Sequence, residues 1–503
     1  MPAHPRDPLL LSDDGHIDTE RLRQAVAGAL QCMPDGYRCP FGVTLLEQRA
    51  HLAKAMQTEF RRRVGRGEDA IFLSNRMATW LDVLQRAVTD WCDSDRKPRL
   101  ERMAAVTSNF YNLFKGEVRR QLYGLRQEPK PPLVALSPYQ HWGPHTVNGD
   151  KVLEYVGVQI GIVNLPRSYA DYPILWSVLA HEVYGHDAMH SLRDVHHSRG
   201  KVGQDTSRSA DKDEQDVELV TEMRRAVCGA VNGSGWETIW TDAWMEEAAA
   251  DAMGVLAMGP AFMLGMLAWM NATDAHDDSA LFAGFGVLEN RLPLRSGRPA
   301  GEHPPDLLRF HVMRGALDEL GKRCGHDTEW QAVASEIERH QTRTRTIDVF
   351  DLNEGGVVLS YDAQTLAEHA HAVGACLVST KFKTLQDKAL LDFNPWCEAN
   401  ETIAQEFARA TGVFGTAGTA AYDRANCSPR HCLAGATMAV YQDPGQIGAV
   451  NAILALALSD QFGKTFDFHG TQEPARETRR EMANLPPTAT PARAAPSPEG
   501  TPD

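Results

Sequence analysis

The sequence lacks the features that mark secreted, membrane-spanning or nucleic-acid-binding proteins. Residues Met1–Asp14 hold prolines and acids instead of a basic stretch followed by an apolar one, so we expect no secretory signal. Lysine and arginine number 51 against 66 acids, a formal net charge of −15. This charge disfavours nucleic acid or an anionic membrane as the main partner.

Long apolar runs are scarce as well. The stretch Ala252–Met270 carries no charge and could barely cross a bilayer, but Gly259-Pro260 interrupts it and Glu247 and Asp251 precede it. We therefore expect two buried helices there. Nine scattered cysteines, an odd number without paired metal-binding spacing, are typical of free thiols in a reducing compartment. The sequence thus predicts a cytoplasmic protein.

One segment carries two histidines and a glutamate near the spacing of known metal sites. It is His181-Glu182-Val-Tyr-Gly-His186, in a predicted helix from Asp171 to His190 with Asp171 as N-cap. The common metallopeptidase motif places its histidines four apart on one helix face, with a glutamate beside the first as general base. Here they are five apart, which on a regular helix separates them by about 140°. A local π-bulge would restore the shared face, and Gly185 would tolerate it.

A second predicted helix, Thr241–Met258, offers a third ligand. Glu246 and Glu247 are adjacent on an otherwise apolar helix, and burying such a pair is costly unless it is paired or binds a metal. Asp251, four residues after Glu247, lies one turn further along the same face. From there it could accept a hydrogen bond from a ligand histidine and fix the tautomer of the imidazole. We therefore predict Glu247 as the third ligand beside the two histidines.

Further polar residues could take part in catalysis. His303, in His303-Pro304-Pro305, and His311 are candidate donors to a tetrahedral oxyanion. Tyr184 is a candidate for the same role or for substrate binding. Arg309 could orient the site or bind a substrate carboxylate.

The segment before the first metal helix predicts two more features. The loop Pro131–Gly149 is rich in proline, histidine and aromatic residues and could rim an active cleft. Val156, Val158, Ile160 and Ile162 then alternate with small or polar residues up to Pro166, which predicts a strand. At a sheet edge such a strand could pair with an extended peptide substrate; an ordinary core strand is the alternative.

The two metal motifs resemble the gluzincin superfamily of zinc metallopeptidases, and within it the dipeptidyl-peptidase III family. The hallmark of that family is HExxGH followed by a Glu-Glu-x-x-Ala-Asp helix, which His181–His186 and Glu246–Asp251 match. The resemblance covers roughly residues 150–320. It implies a zincin-like catalytic domain in which Glu247 is a ligand, with Glu246 and Asp251 supporting the ligands from behind. Arg309–Arg314 is similar to the helix that follows the family's transition-state-stabilising histidine.

The chain departs from this family at several points. His303 lies near the place of the transition-state-stabilising histidine but at a different offset, and the family's peptide-terminus-binding residues have no match. Exopeptidase activity is therefore not implied. The Glu247–Asp251 helix followed by His303-Pro304-Pro305 and Arg309 also resembles the CAAX-prenyl and heat-shock type zinc peptidases.

The chain organisation follows from its length and periodicity. At 503 residues it is long enough for several domains. We predict a mainly α fold with a small β-sheet (α+β), in which the metal site lies on two helices and helical domains flank the catalytic one. The predicted segments are a loosely structured N-terminal arm (1–40), a helical N-terminal region (41–130), the metal-binding catalytic domain (131–340), a helical C-terminal domain (341–470) and a disordered tail (471–503).

The predicted function is hydrolysis of a peptide or small amide by metal-activated water. One Zn²⁺ per chain would be bound by His181, His186 and Glu247, with Glu182 as general base. Two histidines and a carboxylate also form the triad of non-haem Fe(II) oxygenases, and a catalytically idle, metal-stabilised binding protein is a further alternative. Glu182 favours the hydrolase, since an oxygenase has no evident use for it. Substrate identity and oligomeric state stay open.

Overall fold

The computed structural model describes residues 10–12, 16–29, 45–118, 121, 132–137, 144–147, 161–187, 189, 219–274, 290–295, 298–299, 303–325, 330, 332–335, 338, 345–353, 355–411 and 427–465. Most of them are helical, and three small sheets complete the described structure. This confirms the predicted mainly α architecture with a small β component.

The helices fall into three kinds. The α-helices are α1 (Thr19–Ala29), α2 (Leu45–Val64), α3 (Ala70–Cys92), α4 (Lys97–Tyr111), α5 (Leu219–Ala230), α6 (Met245–Met258), α7 (Pro260–Asp274), α8 (Asp306–Cys324), α9 (Ala363–Ser379), α10 (Glu398–Ala410), α11 (Pro429–Gln442) and α12 (Ile447–Thr465). The π-helical segments are Asn112–Gly116, Ala180–Asp187 and Ile239–Trp244. Short 3₁₀ helices are Arg167–Tyr169, Pro173–Ser177, Lys383–Leu385, Leu390–Asp392 and Pro444–Gln446.

The strands form three separate sheets. They are β1 (Leu133–Ser137), β2 (His145–Val147), β3 (Ile162–Pro166), β4 (Arg291–Arg295), β5 (Arg298–Pro299), β6 (Thr346–Asp351), β7 (Gly356–Asp362), β8 (Lys381–Phe382) and β9 (Lys388–Ala389). The first sheet has the order β1-β3-β2, with β3 parallel to β1 and antiparallel to β2. The second has the order β5-β4-β6-β7, and the third pairs β8 with β9.

The sheet nearest the metal motif corrects one expectation. Residues 162–166 do form a strand, but it is the central strand β3, not an edge. Strands β1 and β2 pair with its two sides and are the edge strands in the described part of this sheet. The predicted strand residues Val156, Val158 and Ile160 lie outside the described residues.

Helix α1 corrects the prediction of a loosely structured N-terminal arm. Leu22, Val26 and Ala29 are spaced along one helical face and are buried. That face packs against α2 and α3. The apolar stripe therefore orders residues 19–29 as part of the folded body.

The uncharged stretch Ala252–Met270 forms two buried helices, as predicted. Helix α6 ends at Gly259, whose φ of 60° is a conformation that favours glycine, and α7 begins at Pro260. Position 259 admits no side chain, because a Cβ there would lie 2.4 Å from Trp396 Cδ1. No helix within the described ranges has the length and hydropathy needed to cross a bilayer.

Close packing joins the middle of the chain to its last third. Strand β4 pairs in parallel with β6, and α8 packs against α9. The helix pair is close enough that a Cβ at Gly315 would lie 2.0 Å from the carbonyl oxygen of His371. The segments predicted as catalytic and C-terminal domains thus share a sheet and a helix pair.

Candidate metal centre

The HExxxH segment is π-helical over its whole length, Ala180–Asp187. A π-helix takes about one more residue per turn than an α-helix, so residues five apart lie on the same face. The two imidazoles accordingly meet, with ring centroids 4.7 Å apart. The predicted local widening of the helix is confirmed, although the helix before it starts later than expected, with a 3₁₀ turn at Pro173–Ser177 in place of a helix capped by Asp171.

Gly185 has a second role that the spacing alone did not indicate. The π-helix packs directly on α6, and a Cβ at Gly185 would lie 2.5 Å from both the Cα and the Cβ of Ala250. Both residues must therefore be small for the two helices to approach. This contact brings the two histidines up to the carboxylate of Glu247, one turn before Ala250.

Nitrogen and oxygen atoms of three side chains lie close together. The Nε2 atoms of His181 and His186 are 3.1 Å apart. His186 Nε2 lies 3.2 Å from Oε1 of Glu247, and His181 Nε2 lies 3.3 Å from Oε2. In a tetrahedral zinc site with ligand distances near 2.0–2.1 Å, ligand atoms are about 3.3 Å apart. The donor set and its spacing therefore fit a single zinc ion, and among the described residues this is the one such group of histidines, cysteines and carboxylates.

The charges of the neighbouring histidines and carboxylates in this site stabilise one another. Burial alone would lower the pKa of His181, but Asp251 and Glu247 outweigh it and raise that pKa to about 10. Burial likewise opposes ionisation of Glu247, yet His186, His181 and His303 hold its pKa well below the usual range. The buried site thus stabilises positive charge beside an ionised carboxylate, as a cation-binding site must.

Asp251 supports the first ligand from behind, as predicted. Its Oδ1 accepts a hydrogen bond from His181 Nδ1 at 2.8 Å, so Nε2 is the atom that faces the centre, where a metal would take the place of the Nε2 proton. Arg309 holds the same carboxylate with two hydrogen bonds of 2.8 Å, from Nε and Nη2. Asp251 is fully buried and Arg309 is 3% exposed, so the pair forms a fixed backing for the imidazole.

Glu182 lies beside the ligands with its carboxylate oriented by a neighbour. It is 5% exposed, and Thr146 Oγ1 donates a hydrogen bond of 2.8 Å to its Oε2. Thr146 comes from the edge strand β2, which runs next to the π-helix. A cavity of about 310 Å³ opens here. Its lining residues are Pro144, His145, Val178, His181, Glu182, Met266, Trp269, His303 and Arg309.

His303 is placed at the mouth of this cavity. Its side chain is 59% exposed, and its Nδ1 lies 2.7 Å from Oε2 of Glu247. The predicted nearness of His303 to the reacting groups is therefore present. Arg309 also lines the cavity. Asp251 holds one edge of its guanidinium through Nε and Nη2, so the contacts fit the predicted orienting role, and binding of a substrate carboxylate stays a prediction.

Two candidate residues lie elsewhere. His311 borders a separate cavity with Arg314 and His371, because it is two positions after Arg309 on α8 and so points to the opposite side of that helix. Tyr184 is buried and its hydroxyl donates to the carbonyl oxygen of Phe393 at 3.3 Å. Neither can act as the oxyanion donor or substrate ligand that was predicted.

Glu246 is also turned away from the centre. It is more exposed than Glu247, and its Oε1 lies 3.6 Å from Arg224 Nη2. Adjacent residues on an α-helix differ by about 100° in direction, so only one of the two glutamates can face the histidines. Glu246 thus lies next to Arg224, and its predicted support of the ligands stays a prediction.

Among the residues that line the cavity, Val178, Met266 and Trp269 were not predicted from the sequence. His145 lies in the loop predicted to rim the cleft and does line the cavity, whereas Tyr139, His141 and Trp142 fall outside the described residues. Thr146 was not predicted either, because a single threonine forms no recognisable sequence motif.

Comparison with protein-family models, curated proteins and solved structures found no match for this chain.

Proposed function

We propose that this chain is a zinc-dependent hydrolase that cleaves a peptide or small amide bond, with His181, His186 and Glu247 as the metal ligands. The observation that carries the proposal is the convergence of these three side chains to 3.1–3.3 Å next to the carboxylate of Glu182. Similarity to gluzincin peptidases is part of the same proposal and rests on the two motifs.

Hydrolysis of an amide adds hydroxide to the carbonyl carbon and a proton to the leaving nitrogen, without any change in oxidation state. A zinc ion bound here would lower the pKa of its water to about 7 and polarise the carbonyl group. Glu182 is the group that takes the water proton and returns it to the nitrogen. Its Oε2 is held by Thr146, so the carboxylate is oriented before substrate arrives.

The surrounding residues divide the remaining tasks. His303 is 59% exposed, which leaves its side chain room to turn from Glu247 toward a tetrahedral oxyanion and donate a hydrogen bond to it. Asp251 and Arg309 keep His181 in one tautomer and one orientation.

The site favours a short substrate. A cavity of about 310 Å³ is at the lower end of the range for small-molecule sites, which suits two or three residues or a small amide. The edge strand β2 lies along the same cavity and can pair with an extended backbone. A peptide or peptide-like amide satisfies both features.

We also place the protein in the cytoplasm. Six cysteines in the described part of the chain form no disulfide, and Cys427 and Cys432 stay unbonded although their sulfur atoms are 3.4 Å apart. Free thiols at that distance suit a reducing compartment.

The proposal is tested with Glu182→Gln. We expect the zinc content to stay at one per chain while chelator-sensitive turnover of a peptide and amide panel falls at least a hundredfold. An equal loss of zinc would contradict a base role for Glu182. Oxygen consumption by iron-loaded protein would favour the oxygenase instead, and metal-loaded wild type without turnover of any substrate would favour a binding protein.

A further inference from the structure

A second cavity lies between α8 and α9, apart from the metal centre. Its volume is about 250 Å³, and the residues that line it are different from those that line the metal cavity. The two helices pack so closely that a Cβ at Gly374 would collide with the carbonyl group of Val312. This contact fixes the helices against each other, so the walls of the second cavity are preformed.

Three charged or titratable groups in this cavity already satisfy one another. Asp318 Oδ1 accepts a hydrogen bond of 2.9 Å from Arg314 Nε, and its Oδ2 lies 2.9 Å from His371 Nε2. Burial opposes ionisation of Asp318, but His371 and Arg314 outweigh it and lower the pKa of the carboxyl group. The positive charge of Arg314 is therefore compensated within the wall of the cavity.

Two further carboxylates line the cavity and are compensated less well. Glu338 is 41% exposed, and its Oε2 lies 3.5 Å from Arg314 Nη1. Glu368 is exposed, and within the described structure its hydrogen bond comes from the neutral amide of Gln364, at 2.9 Å. The lining thus holds three carboxylates against one guanidinium, so it attracts a cation and repels an anion.

His311 adds a neutral polar group to the same wall. Burial, together with His371 and Arg314, lowers its pKa to about 4, so the imidazole is uncharged at neutral pH. It lines the cavity and is partly exposed, and its ring nitrogens form no hydrogen bond with another described residue. A neutral imidazole offers one acceptor nitrogen, which an N–H donor on a ligand can use.

The spread of these groups favours an extended cation over a single ion. Among the described residues, the histidines and carboxylates of this cavity do not form a group whose ligand atoms converge as those of the metal centre do. A metal ion would therefore leave part of the negative charge unpaired. A molecule with an ammonium group at each end can reach two separate carboxylates, and each ammonium group donates up to three N–H bonds.

We propose that this cavity is a binding site for a short alkyl diamine in its doubly protonated form. One ammonium group donates to Glu368, the other donates to Glu338, and His311 accepts a further N–H bond. The methylene chain lies along Ala367, which lines the cavity and is buried. The site is independent of the proposed hydrolase chemistry.

The first experiment tests the ligand class with 1,4-diaminobutane. Titration calorimetry on the full-length protein at neutral pH and low salt should show saturable, one-to-one binding. Succinate and 1,4-butanediol, which have the same chain length but carry negative charge or none, should not bind. The fully N-methylated diamine keeps both charges but has no N–H donor, and it should bind about tenfold more weakly.

The second experiment locates the site. Glu368→Gln and Glu338→Gln should each weaken diamine binding roughly three- to tenfold, the range between exposed and hydrogen-bonded ion pairs. Glu319→Gln is the matched control, because it removes the same charge from α8 but Glu319 pairs with Lys322 at 2.6 Å and lies outside the cavity. Its affinity for the diamine should equal that of the wild type.

The outcomes are distinct. Equal weakening in all three variants would show that the diamine responds to the overall negative charge of the chain, and the proposed site would be wrong. Binding that is lost in Glu247→Ala but kept in Glu368→Gln would place the diamine at the metal centre instead. The absence of saturable binding to the wild type would overturn the proposal outright.

Discussion

Asp251 Oδ1 lies 2.8 Å from His181 Nδ1, and this contact joins the metal ligands to the buried guanidinium of Arg309. The carboxylate is shared, since Arg309 donates to both of its oxygens. It therefore fixes the imidazole in the tautomer that presents Nε2 to a metal. The orientation of His181, a proposed zinc ligand, therefore depends on a residue outside the proposed ligand set.

Replacing Asp251 with Asn should weaken zinc binding ten- to a hundredfold, as loss of such support does in other metal sites. Competition with a chromogenic chelator measures this directly. Asp318→Asn is the matched control, because Asp318 is likewise held between an arginine and a histidine, Arg314 and His371, but away from the site. Equal zinc affinity in wild type and Asp251→Asn would contradict the supporting role.

Gly185→Ala should destabilise the protein by about 1–3 kcal/mol through overpacking and weaken zinc binding at the same time. The added methyl group would lie 2.5 Å from the backbone of Ala250, so the π-helix must move away from α6. Chemical denaturation and zinc titration give the two readouts. Gly229→Ala serves as control, since nothing lies within 4 Å of its Cβ position. Equal stability and zinc affinity in the two variants would show that the contact with Ala250 does not require glycine at position 185.

Thr146→Val should lower kcat roughly five- to tenfold without changing zinc content. The variant removes one hydrogen bond to Glu182 Oε2, worth about 1 kcal/mol, and a poorly oriented carboxylate is a poorer base. Thr107→Val makes the same change at a buried hydroxyl with no partner in the described structure, and should be neutral. Unchanged kcat in Thr146→Val would show that Glu182 needs no such orientation.

His311 should make the fold sensitive to acid. Burial, together with His371 and Arg314, lowers its pKa from 6.5 to about 4. Between these values the unfolded chain binds a proton and the folded chain does not, so the free energy of unfolding falls as pH drops through this window, by at most about 3 kcal/mol from this residue. His311→Gln should flatten the pH profile of unfolding measured in urea between pH 7 and pH 4.5. An unaltered profile would mean that His311 is not kept neutral by the fold.

The approach of His181, His186 and Glu247 to one another could be predicted from the sequence because spacing determines direction on a helix. Glu247 and Asp251, four apart, share a face of α6, and the five-residue interval between the histidines required a wider helix, which is present. The same logic applied to Arg309 and His311 would have excluded His311, since two residues two apart cannot share a helix face. Tyr184 lies in the same π-helix, but its side chain turns into the core toward Phe393.

Other features depended on contacts between distant segments and left no local signal. The role of Gly185 follows from Ala250, which lies in another helix. Thr146 reaches Glu182 from a strand that the sequence pattern did not indicate, and Trp269 lines the cavity on helix α7, which Gly265 allows to lie close to Ser177. Tertiary packing, which periodicity cannot describe, decides these positions.

The most direct test of the proposed metal centre is the zinc content of the full-length chain. The protein is purified without added metal and dialysed against a weak chelator, and its zinc is measured by inductively coupled plasma mass spectrometry. We predict about one zinc per wild-type chain and less than about a tenth of that in His186→Ala and Glu247→Ala, with Asp318→Asn unchanged. Wild-type protein free of transition metal, or zinc that persists when both His186 and Glu247 are replaced, would contradict the site.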